Sequence, residues 1–281
     1  MSPTKVISDA GVPSPPIPGS VRPGPLVTLY LLIFAISAVV GMKLGSAGDP
    51  EWRFGWQAMI WATVQGGLIL LVTLVVPELR RSFRSLYAAA RNPLTAGDVV
   101  LFIALMVSWC FGANQMLFAV PLIHWHPEFA GVMGYSPHIS PAGPVFIFLW
   151  CITSVILAPL GEELFFRGYM QNLWHRRWGL WPGILLSAAF FGAMHFQTMI
   201  FAGVAGIFFS LVYLRTGSLW PGTLLHGLYN LAAAPYLTLP LLFEKSEADF
   251  HSPWPWIPQL VLTAAFFPLL YLFWRRFRPQ A

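Results

Sequence analysis

Two adjacent glutamates, Glu162 and Glu163, stand directly behind the apolar run Pro144 to Leu157, and Arg167 follows in the same segment. Carboxylates are costly in lipid, so ionisable groups here mark a site or a paired structural element. Glu163 and Arg167 are four residues apart, share a helix face and can pair. Glu162 points about 100° away and has no such partner in its own helix, which leaves it available for chemistry. Two later apolar segments each supply a histidine: His195, one turn after Phe191, and His226, one turn before Asn230. A buried carboxylate can act as a general base, because burial moves a carboxyl toward the pH at which it must take a proton. An imidazole N–H and an amide NH2 can stabilise an oxyanion. One carboxylate and two imidazoles also make a plausible zinc set with an open fourth position (Glu162, His195, His226), although there is no HExxH. Each element has a plainer meaning taken alone: a structural ion pair at Glu163–Arg167, and polar helix–helix contacts at His195 and at His226–Asn230. Their joint occurrence favours a site.

Composition decides what carries these residues. The 281-residue chain is 57% hydrophobic and 16% aromatic, with only 10% charged residues, against about 25% charged in soluble domains. This predicts an all-α, polytopic membrane helix bundle. Spans of about 20 apolar residues are expected near 25–44, 55–76, 98–120, 145–173, 180–198, 199–214, 219–240 and 254–274. Residues 1–24, rich in Pro, Gly and Ser, read as a flexible cytoplasmic tail, and 25–281 as the membrane domain with a core at 145–235. Lacking a small-residue cleavage site, the first apolar run is expected to be a retained anchor.

The basic residues test the count of eight. With both termini cytoplasmic, the inner segments hold Lys5, Arg22, Arg80, Arg81, Arg84, Arg91, Arg176, Arg177, Arg215, Arg275, Arg276 and Arg278, and the outer segments Lys43, Arg53 and Lys245. The alternation fits the positive-inside rule. The net charge of +5 is therefore a topology signal, and no aromatic-interleaved basic patch points to nucleic acid. The same folding-back brings the polar groups to one depth. Glu162 precedes the turn near Trp178 by sixteen residues and His195 follows it by seventeen, about 20 Å along either helix. His226 and Asn230 follow the turn near Gly217 by nine and thirteen residues. One tension remains: an outer turn at Gln197 puts His195 near the outer end of a short fifth span.

The ordered patterns EExxxR (Glu162, Glu163, Arg167), FxxxH (Phe191, His195) and HxxxN (His226, Asn230) resemble the CPBP family, the CAAX-prenyl-endopeptidase-like and bacteriocin-processing (Abi) intramembrane proteases. The stretch YLRTGSLWPGTLLHGLYN, Tyr213 to Asn230, is similar to that family's last motif region. The resemblance covers roughly 145–235. It implies an eight-helix bundle with a cavity open to the cytoplasmic side, in the plasma membrane. It implies Glu162 as general base, activating water with His195, and His226 and Asn230 as oxyanion stabilisers. Glu163 and Arg167 would hold the architecture, with Phe191 in support. The implied partners are a peptide or membrane-protein substrate and the bilayer. No cofactor is favoured; zinc on the same residues stays open, since family members are often labelled metalloproteases. The family name points to prenylated C-terminal peptides, a substrate class of only part of the family.

Two other classes compete. A transporter or channel would also place ionisable residues in the membrane, and Gly66-Gly67 and the internal prolines keep it open; neither an inverted repeat nor paired broken helices are evident. A non-catalytic scaffold or immunity protein would be free to lose Glu162 or His195. Cys110 and Cys151 read as packing, Trp181, Trp220, Trp254 and Trp256 as an interfacial belt, and Ala202, Gly203, Ala205 and Gly206 as a close helix contact. His124, His126 and His138 show no metal spacing and read as solvated.

Overall fold

The computed structural model describes residues 23–45, 53–126, 144–195, 198–232 and 256–279, and among them there is helix and no strand. Helices occupy each of the eight expected apolar segments. They are α1 (Pro23–Gly45) and α2 (Arg53–Val75), then, after the short helix α3 (Pro77–Leu86), α4 (Ala96–Leu122) and α5 (Ile147–Trp178). After these come α6 (Leu180–Ala193), α7 (Met199–Thr216), α8 (Leu219–Ala232) and α9 (Ile257–Phe277). Four of them, α4, α5, α7 and α9, are each long and apolar enough to cross a bilayer, and a bent pair, Ile60–Val75 with α3, makes a fifth candidate. The large apolar side chains left exposed on these helices, such as Leu32, Leu71, Ile156 and Val261, would face lipid rather than water. The 14 residues of α6 span about 21 Å, short of a hydrocarbon core of about 30 Å. The last part of the expected segment 219–240 lies outside the described residues.

Pro77 opens α3 and the chain turns by 107° there. Leu79, Ser82 and Leu86 are buried while Arg80, Arg81 and Arg84 are exposed. This one-sided pattern is that of a helix lying along the bundle's end rather than passing through it. Thr95 caps α4 in a reciprocal capping box with Asp98. Asp98 is fully buried, bonds Arg215 at 2.8 Å and also meets Arg276. One carboxylate thus ties the start of α4 to the ends of α7 and α9.

Glycines set the closest crossings. A Cβ on Gly192 would lie 2.6 Å from Met199 O, and one on Gly206 would lie 3.1 Å from Ala188 Cα. The small-residue stretch of α7 therefore does what its composition predicts, letting α6 and α7 pack backbone to backbone. Gly66 meets Gly161, where a Cβ would come within 3.3 Å of Gly66 Cα. Gly66 is thus a packing contact inside a continuous α2, whereas a Cβ on Gly67 would meet nothing, and the pair does not break the helix.

Candidate active site

The site is assembled on α5. Its turns are wider than α-helical, with i→i+5 hydrogen bonding, at Ile152–Leu157 and again at Glu163–Gln171. Such wide turns recur at functional positions in helices. Glu162 is the last residue before the second of them. A 3.6-residue period cannot announce them, and they were not expected.

Glu163 and Arg167 pair as their spacing predicts: Arg167 Nη1 lies 3.1 Å from Glu163 Oε1, with both side chains 1% exposed. Arg167 also donates to Gly206 O at 3.2 Å and sits over the rings of Phe191 (4.5 Å) and Phe209 (5.3 Å). Its charge is thus met by a carboxylate, a carbonyl and two aromatic faces, while its Nε makes no hydrogen bond among the described residues. Among the described residues Glu162 has no arginine ion-pair partner, and its side chain is 22% exposed.

His226, on α8, bridges the two glutamates. Its Nδ1 is 3.1 Å from Glu163 Oε1, and its Nε2 is 3.8 Å from Glu162 Oε2. Its ring stacks on Phe209 at 4.6 Å and meets the edge of Phe191 at 6.1 Å. A carboxylate accepts, so the Nδ1 proton is donated to Glu163. The Nε2 nitrogen can then donate only when the ring carries both protons. Asn230, one turn on, donates Nδ2 to Ser154 O at 2.7 Å, which anchors α8 to α5. One further amide N–H remains.

His195 differs from expectation. The sequence reading put it on an apolar span, but α6 ends at Ala193 and His195 lies in the turn beyond. The ring folds back on Phe191 at 4.4 Å between centroids, and Nδ1 lies 2.8 Å from Phe191 O. A carbonyl can only accept, so Nδ1 carries the proton and Nε2 is left as the acceptor. The FxxxH spacing therefore works as a ring-on-ring support plus a tautomer lock. No hydrogen bond or ion pair joins His195 to Glu162 among the described residues; Phe191 stands between His195 and His226.

The donor types of Glu162, His195 and His226 suit zinc, but their arrangement does not. Among the described residues no three His, Cys, Asp or Glu side chains come together as a metal site requires. Nδ1 of each imidazole is held by an oxygen, Glu163 Oε1 or Phe191 O, which leaves each Nε2 as the nitrogen that could ligate. His124 and His126 are exposed at the far end of α4, and His138 lies outside the described residues. Cys110 and Cys151 are free and partly buried.

Three contributors were missed. Phe209, in an unbroken apolar run, carries no signal of its role under His226. The carbonyl of Ser154 is a backbone group that no side-chain pattern announces. Gln65 on α2 lines a narrow cleft beside Glu162; a glutamine in the middle of an apolar helix was the available hint.

Comparison with known proteins falls on this segment. Residues 144–232 match the family described as Rce1-like, type II CAAX prenyl endopeptidase. An uncharacterized 24.3 kDa protein of Escherichia coli is 37% identical over 87 residues, which is 28% of this chain and 40% of that protein. The chain thus spans well under half of that relative's length. No solved structure matches. The matched stretch runs through α5 to α8 and contains every residue singled out by the three motifs, and over these residues the chain is similar to the CAAX-protease-like membrane proteases.

Proposed function

We propose that this protein is an intramembrane endopeptidase that cleaves peptides or membrane-associated proteins without a metal. Glu162 is the general base, His195 helps it hold the attacking water, and His226 with Asn230 stabilises the oxyanion. The observation that carries this reading is the unequal treatment of the two glutamates. Glu163 is spent on Arg167 and His226, while Glu162 is free of arginine, partly open and 3.8 Å from His226 Nε2.

Water attacks the scissile carbonyl as one of its protons passes to Glu162. His195 Nε2 accepts from the same water. The oxyanion takes the Nε2 proton of His226, in its doubly protonated form, and the free amide N–H of Asn230 as donors. Glu163 balances the charge of that imidazolium. Collapse of the intermediate breaks the C–N bond, and the proton on Glu162 passes to the leaving nitrogen.

The proposal includes eight spans with both termini cytoplasmic and the site reached from that side of the plasma membrane. It is supported by the basic-residue pattern and by Asp98, which gathers Arg215 and Arg276 at one end of the bundle. Cleavage of a peptide library by the detergent-purified full chain, with and without a zinc chelator, tests the chemistry. Products that persist under chelation are expected. Cleavage lost to chelation and restored by zinc would contradict the metal-free mechanism, and a purified chain that cleaves none of the library would contradict the protease reading.

A further inference from the structure

The cleft beside Glu162 has a second wall. Ala158, Gly161 and Glu162 of α5 form one side, and Ala62, Gln65, Gly66 and Ile69 of α2 the other. It is tight enough to hold about one water molecule. Glu162 and Gln65 are its polar side chains. The Gly66–Gly161 contact brings the two helices together at this point.

The amide of Gln65 is held from behind. Its Nε2 lies 2.6 Å from the hydroxyl of Tyr30 on α1, to which it donates. Tyr30 is 2% exposed, and its ring stacks on Phe165 at 3.5 Å and 13°. Phe165 stands three residues after Glu162. A line of contacts therefore runs from the base-bearing helix through Phe165 and Tyr30 to Gln65 and back to the cleft. With Nε2 committed to Tyr30, the amide retains Oε1 as its acceptor.

We propose that Gln65, oriented by Tyr30, is a positioning residue for the attacking water. The role rests on Glu162 being the base. Water that points one hydrogen at Glu162 and shares the other between His195 Nε2 and Gln65 Oε1 has a lone pair left for the scissile carbonyl. As the new C–O bond forms, the proton facing Glu162 moves to its carboxylate and the C=O electron pair moves to oxygen. Gln65 neither gains nor loses a proton. Gln65 and Tyr30 lie outside the matched segment 144–232, so in this proposal α1 and α2 take part in the reaction.

The test is steady-state cleavage of one library-derived peptide by the full chain in detergent. The proteins are wild type, Glu162→Gln, Gln65→Met, Tyr30→Phe and the Tyr30→Phe/Gln65→Met double variant. Gln65→Met is expected to lower kcat by about 10- to 100-fold, with KM within about twofold, the pattern of a transition-state contact, and with the wild-type melting temperature. Tyr30→Phe should lower kcat less, and the double variant should be no worse than Gln65→Met, because Tyr30 acts through Gln65. Tyr30→Phe deletes a single oxygen atom and carries the test alone if Gln65→Met does not fold. Wild-type kcat in Gln65→Met beside an inactive Glu162→Gln overturns the role of Gln65 and leaves Glu162 in place. Multiplying losses in the double variant overturn the relay through Tyr30. Wild-type cleavage by Glu162→Gln removes the proposed function itself.

Discussion

Two glutamates side by side have opposite surroundings. Arg167 and Glu163 are buried partners, and removing one member of such a pair leaves an uncompensated charge. Arg167→Ala should therefore cost about 3–5 kcal/mol of stability, read as a lower melting temperature and yield, with activity lost alongside. His226→Ala and Asn230→Ala should each lower kcat by about 10²–10³-fold in protein that still elutes as wild type. The pairing of Glu163 with Arg167 was legible because i,i+4 spacing is local. The bridge from His226 to Glu163 was not, since the residues are 63 apart in sequence and only the packing of α8 on α5 brings them together. The position of His195 was legible only in part: the polar Gln197 and Thr198 pointed to a turn close after it, but not to a helix that already stops at Ala193.

Among the elements, α8 carries two proposed catalytic side chains and must sit close to α5. A Cβ on Gly227 would lie 2.5 Å from Val155 O, next to the Ser154 carbonyl that holds Asn230. Gly227→Ala should push α8 away and lower kcat by about tenfold or more. Gly203→Ala, whose Cβ would sit 3.7 Å from Ala188 O, should cleave at the wild-type rate. Comparing the two separates loss of site geometry from a general effect of adding a methyl group. The existence of these helices was legible from apolar segments alone. The wide turns of α5 were not, because they arise from backbone hydrogen bonding that a 3.6-residue period does not encode.

At the scale of the molecule, the two halves of the chain meet at the site. The matched segment supplies α5 to α8, and α1 and α2 close the other side of Glu162. Asp98 clamps α4, α7 and α9 at one end. The alternation of basic residues made the proposed topology readable, while the clamp was hidden because Asp98 lies 117 residues from Arg215 and 178 from Arg276. In a background with Cys110 and Cys151 replaced by Ser, Trp178→Cys should react with an impermeant thiol reagent from the cytoplasmic side. Trp125→Cys should react from the opposite side; both positions are exposed. Labelling of both from one side would contradict eight spans with inner termini.

The central claim, that Glu162 is the base, is tested most directly by steady-state peptide cleavage with Glu162→Gln, measured beside its melting curve. The account predicts kcat lowered by about 10²–10⁴-fold in protein that melts like wild type, since among the described residues this carboxylate forms no ion pair with an arginine. Wild-type cleavage by folded Glu162→Gln would contradict it.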